Sequence, residues 1–156
     1  MSTAKANTIN LTPRSRQALE TARELASGLG HSHIGSQHLV FGLFKLGSGV
    51  HYSVLRSFGF SDDSLREAIA SEPPVHTDSA APLELDRSAT AVLDRAEAEA
   101  RAMGHGYTGT EHILLALLAE QAGGAANLFA SRGIDLLQAR QMILHEYGMQ
   151  YRIELA

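Results

Sequence analysis

The 156-residue chain has no cysteine, no tryptophan and only four prolines. Without cysteine there are no disulfides, no thiolate nucleophile and no cysteine-ligated zinc, a composition compatible with a reducing compartment. Charge of one sign is lacking as well: 13 Lys and Arg stand against 17 Asp and Glu, for a formal net charge of −4. That balance argues against nucleic acid as the main partner, because phosphate backbones are gripped by basic faces. No apolar run approaches the roughly 18 residues that cross a bilayer. Met1 to Asn10 is polar with one Lys and no apolar core, so it does not read as a secretory signal. These absences point to a soluble, cytoplasmic protein. The length fits one domain, which at this size buries about 68–70% of its unfolded surface.

What the chain does have is an internal repeat. Gly104-His105-Gly106-Tyr107-Thr108-Gly109-Thr110-Glu111-His112, followed by an apolar run, echoes Gly30-His31-Ser32-His33-Ile34-Gly35-Ser36-Gln37-His38 at a constant offset of 74 residues. The register holds without a gap from Leu11/Leu85 through Leu43/Leu117 and Gly59/Gly133 to Ile69/Ile143. The domain organisation read from this is a flexible arm at 1–10, a first repeat at 11–71, a linker at 72–84, a second repeat at 85–147 and a tail at 148–156.

Each repeat reads as four helices. Thr12 and Pro13 suit the N-cap and first position of the first helix, with Ala18, Ala22, Leu25 and Leu29 on one stripe. Ser36 is expected to cap the second, apolar around most of its circumference and therefore deep in the domain. A short third helix spans Val50 to Ser57, and Ser61-Asp62-Asp63 opens the fourth. In the second repeat Asp86, Thr110 and Asp135 are the expected caps, and Leu136, Ala139, Met142 and Ile143 the inward positions of the last helix. No alternating strand pattern appears. The expected fold is all-α, eight helices in two pseudo-twofold four-helix repeats.

A Thr-Pro-Arg helix opening, Leu-Gly-His, a Gly-Thr-Glu-His before an apolar helix, and a Gly-rich break, in two registered copies, resembles the Clp repeat. This is the N-terminal domain of ClpA/ClpC-type and ClpB-type unfoldase ATPases, here most similar to ClpC over about residues 11–147. The resemblance implies a non-catalytic module of the Clp protein-degradation system that docks substrates or adaptors, including arginine-phosphorylated ones. Its implied partners are a Clp AAA+ ATPase or the Clp protease and adaptor or substrate proteins, with no cofactor and no metal. A structural accessory subunit or regulator without tag recognition is the alternative. No Gly-x-x-x-x-Gly-Lys-Ser/Thr is present, so the chain reads as either a stand-alone Clp-repeat protein or an excised N-domain, and its length favours the former. No large exposed apolar helix face argues for an obligate dimer, and a monomer is expected.

Domains of this kind that recognise phosphoarginine hold its guanidinium with the Glu of Gly-Thr-Glu-His. By position that role falls to Glu111, while the first repeat has Gln37, which brings no charge. Ser36 and Thr110 precede these residues, and Thr12 and Arg14 lie at the helix opening near the implied ligand groove. Each has a plainer role: Glu111 as a first-turn acid worth about 0.3–1 kcal/mol to its own helix, Thr12 and Asp86 as caps. Eight histidines invite a metal reading, but no His-Glu-x-x-His is present. His31/His105 and His38/His112 recur within the repeat, so they read as loop-fixing residues bonded to backbone. Glu111 and His112 have no nucleophile beside them, and no enzyme is expected.

Overall fold

The computed structural model describes residues 9–71 and 83–155, with side chains through residue 146. Among the described residues there are eight helices: α1 (Pro13–Gly28), α2 (Ser36–Lys45), α3 (Val50–Ser57), α4 (Asp62–Ala70), α5 (Arg87–Ala102), α6 (Thr110–Ala119), α7 (Gly124–Ser131) and α8 (Leu136–Leu155). No strand forms among them, and the all-α expectation holds. None of these helices is long and apolar enough to cross a membrane.

The caps explain where the helices begin. Thr12 accepts the Ser15 N–H at 3.2 Å, with Pro13 supplying a residue that needs no donor. Asp86 accepts the Ala89 N–H at 2.8 Å, and Ser61 and Ser64 satisfy each other's N–H groups in a reciprocal box. Thr12→Ala should lower stability by about 1 kcal/mol. Thermal unfolding would show this as a fall in Tm of about 2–4 °C.

Two expected caps are misplaced by one residue. The N-caps of α2 and α6 are Gly35 and Gly109, so Ser36 and Thr110 sit inside the first turn. Nδ1 of His38 accepts the Gly35 N–H at 2.8 Å, and Nδ1 of His112 accepts the Gly109 N–H at 2.9 Å. The third helical residue thus does the work of the acid in a capping box, and the cap position needs no side chain.

α2 and α6 form the centre. Leu39, Val40, Phe41 and Leu43 on one, and Ile113 through Leu118 on the other, are almost fully buried. α1 lies along α2 and α5 along α6, while α2 reaches across to α7 and α3 to α8. One continuous core results, running from Ile9 to Ile143. Ile9, in the expected arm, is 1% exposed and belongs to that core; residues 1–8 lie outside the described residues. So do linker residues 72–82.

The halves are also stitched by two isolated parallel bridges, Leu11 with Thr108 and Ile34 with Leu85. Thr12 N–H donates to the Thr108 carbonyl and Thr108 N–H to that of Asn10. Ile34 N–H donates to Glu84 and Asp86 N–H to Ile34. Each repeat's first helix is therefore entered from a segment paired with the other repeat's Gly-x-x-His loop.

At the C-terminal end two expectations change. The helix does not stop near 147 but continues to Leu155, and Gly148 is helical. Met142, expected inside, is 38% exposed because Ala139 and Ile143 take the inward positions at 0%. Arg140 anchors α8, donating to the Leu115 carbonyl at 3.1 Å and approaching Glu99 at 3.4 Å.

Candidate functional site

The repeated histidines form two copies of one device. Nε2 of His38 lies 2.8 Å from Nδ1 of His31, and Nε2 of His112 lies 2.9 Å from Nδ1 of His105. Because Nδ1 of each inner ring accepts a glycine N–H, Nε2 carries the proton and donates to the outer ring. Burial first, and then repulsion from the outer histidine, hold His38 and His112 at a pKa of about 4. They are neutral loop fasteners. No group of three His, Asp or Glu able to hold a metal occurs among the described residues.

Glu111 follows Gly109 by two residues, at the second position of α6. Its carboxylate folds back over that glycine, and a Cβ there would collide with it. The side chain is 14% exposed, and the basic group within ion-pair distance is Nδ1 of His112 at 3.9 Å, already engaged by the Gly109 N–H. Among the described residues no Lys or Arg is paired with Glu111. A carboxylate near a helix N-terminus, unmatched by a cation, is equipped to receive one.

The first repeat differs in more than charge. Gln37 is 8% exposed and packs against Gly124, the first residue of α7, where a Cβ would strike its side chain. The absence of a side chain at Gly124 lets Gln37 seal this end. Ser36, completely buried, accepts the Ala125 N–H at 2.9 Å and donates to Glu120 at 2.9 Å. Glu120 in turn accepts the Ala126 N–H at 3.0 Å and the Ser88 hydroxyl. Ser36 and Gln37 thus serve an internal junction between repeats.

Thr12 spends its hydroxyl on Ser15, which it both accepts from and donates to. Arg14 is exposed and reaches the Gly-rich break before α3, donating to the Ser48 carbonyl at 2.9 Å and the Ser48 hydroxyl at 3.1 Å. Thr110 is half-buried in the first turn of α6. The candidates therefore separate: Ser36 and Gln37 are enclosed, Thr12 is a cap, and Arg14 and Glu111 stay available. Glu120 and Ser88, which complete the α7 junction, had no signature in the sequence. Nothing in their spacing ties them to Ser36, and they meet only because α2, α5 and the α6–α7 turn converge.

Two helical repeats closed on one core, each with a Gly-x-x-His helix opening, define an all-α double-repeat domain. The chain belongs to the Clp repeat (R) N-terminal domain family, which it matches over residues 10–132 and 84–153. It is 36% identical over 138 residues to the ATP-dependent Clp protease ATP-binding subunit ClpC of Staphylococcus aureus, covering 88% of this chain and 17% of that relative. The chain thus spans about a sixth of the relative's length. The N-terminal domain of ClpD from Arabidopsis thaliana superposes with a TM-score of 0.72 at 21% identity, over 89% of this chain and 95% of that one. The N-domain of ClpV, solved with a VipB peptide, gives 0.66 at 19% identity over 92% and 89%.

Proposed function

We propose that this domain docks substrate or adaptor proteins for a Clp ATPase or protease in the cytoplasm, and that it reads arginine-phosphorylated segments through Glu111. The observation that carries the proposal is the unmatched Glu111 carboxylate at the opening of α6. A guanidinium offers the planar fork that such a carboxylate accepts best. The ClpV N-domain, of the same fold, has been solved with a peptide, which supports a peptide-docking role for this architecture. Catalysis is no part of this reading. His112 is held as an acceptor by the Gly109 N–H and cannot serve Glu111 as a base.

The enclosure of Gln37 leads to one functional site per chain rather than two. Calorimetric titration with free phosphoarginine should give a stoichiometry of one. Glu111→Ala, checked by circular dichroism for retained fold, should weaken binding roughly 10–100-fold, the cost of losing a charged hydrogen bond. Plain arginine should bind more weakly than its phosphorylated form. No binding of phosphoarginine by the folded protein would overturn tag recognition and favour an accessory subunit of the Clp assembly.

A further inference from the structure

The two short helices α3 and α7 are equivalent by the 74-residue register, yet their N-terminal ends are finished differently. At α7 the free N–H groups of Ala125 and Ala126 are taken by Ser36 and by the carboxylate of Glu120, which Ser88 also holds. That end carries an internal anion, as the orphan donors and dipole of a helix N-terminus favour. At α3 the hydroxyl of Ser36 is kept as Thr110, but the other positions have changed. Leu46 stands at the position of Glu120, Arg14 at that of Ser88, and His51 at that of Ala125. Gly49, like Gly123 in α7, caps the helix with a positive φ and provides no side-chain bond.

His51 makes this end unusual. It is 2% exposed, and both ring nitrogens are buried without a hydrogen-bond partner. Its ring lies over the cap residue: a Cβ on Gly49 would fall 2.8 Å from the ring's Cε1 and 3.1 Å from Nδ1. A buried polar atom left unpaired costs stability. Here that cost is borne beside a helix end with free donors and beside Arg14, whose guanidinium is the charge acting on His51.

We infer that the N-terminal end of α3 is a seat for a phosphate group, held by the free N–H groups of α3 and by Arg14, and that His51 takes up a proton when the seat is filled. The change in charge selects the ligand class. At α7, neutral hydroxyls and N–H groups balance one carboxylate. At α3, an arginine and a protonatable imidazole replace neutral residues, which suits an ion bearing two negative charges. Burial first, and then the Arg14 charge, keep His51 neutral; an anion at Arg14 cancels the second of these and supplies the counter-charge that offsets the first. The biological ligand of this seat rests on the docking reading above, for which it would take the acidic end of a segment whose basic end meets Glu111.

Other charged groups surround α3. Lys45, closing α2, is paired with Asp62 at 2.6 Å, and α6, which packs against α3, carries Glu111 in its first turn. His145 and Glu146 of α8 line a cavity of about 560 Å³ with Gly49 and Val50. Tyr52 and Arg56, on α3 itself, bond each other at 3.4 Å. His145 is exposed, so it must be separated from His51 in any test of pH dependence.

Sulfate is the first probe, since it stays dianionic throughout the range and any proton uptake belongs to the protein. Titration followed by amide chemical shifts should move Val50, His51 and Tyr52. Binding at pH 5.5 should be about tenfold tighter than at pH 7.5, the linkage expected if the filled seat raises His51 to its ordinary range. His51→Gln should abolish that pH dependence while weak binding persists, His145→Gln should leave it intact, and Arg14→Ala should remove binding. Shifts elsewhere, or pH dependence surviving in His51→Gln, would overturn the seat. The two readings fail separately. Phosphoarginine binding through Glu111 with no sulfate effect at α3 sinks the seat alone, whereas sulfate binding without phosphoarginine binding sinks tag recognition alone.

Discussion

Gly42→Ala should destabilise the domain by about 2–4 kcal/mol although it adds a single methyl group. Gly42 lies in the middle of α2, where α1 crosses it. A Cβ there would penetrate the carbonyl oxygen of Ala18 and lie 2.9 Å from its carbon. Both obstacles are backbone, so no rotamer change relieves them and the helices must part. Alanine's better helix propensity returns only about 1 kcal/mol. At the equivalent crossing the second repeat places Val92 where the first has Ala18, and Ala116 where it has Gly42. There the helices are built for a larger pair, and Ala116→Gly should cost about 1 kcal/mol. Urea unfolding of both variants checks the contrast; a Gly42→Ala midpoint equal to the parent's would refute the close crossing.

Acid should be the other strong perturbation. His38, His51 and His112 are buried and held at about 4, by burial first and then by His31, Arg14 and His105 respectively. In the unfolded chain each returns to about 6.5. Between these values the unfolded state binds more protons than the folded one, so stability is present above pH 6.5 and drains away as pH falls toward 4. For the three together the loss should be on the order of 3–6 kcal/mol, discounted for incomplete burial. Tm should therefore fall by roughly 10–20 °C between pH 7 and pH 4.5. An unchanged Tm across that range would show that these histidines are not buried neutral.

The architecture was legible because it is written twice. The 74-residue register aligned cap with cap and core with core, and Thr12, Ser61 and Asp86 were found because each puts a side-chain oxygen just before an apolar stripe. The same rule misled at Ser36 and Thr110, where a histidine three residues into the helix secures the cap's N–H instead. The tail expected from 148 is helical instead, because neither Gly148 nor any residue after it breaks the helix, which runs on to Leu155. For the site, register placed Glu111 opposite Gln37 and showed the missing charge. It could not show that Gln37 is walled in by Gly124, or that Glu120 closes the α7 end. Those facts depend on side chains from three separate elements meeting, and no local pattern encodes the meeting.

The crossed bridges decide how the duplicated unit can behave in folding and in ancestry. Leu11 finds its partner 97 positions later and Ile34 finds its own 51 positions later. Neither repeat can finish its own helix entrance; each needs backbone donors and acceptors held by its twin. Long loops must close before those bonds form, so the late, slow steps of folding are shared between the halves. An open array adds or sheds units at its ends because each contacts only its neighbours. This pair has no such freedom: it is a closed dimer within a single chain, and removal of either copy leaves the other with an unfinished edge.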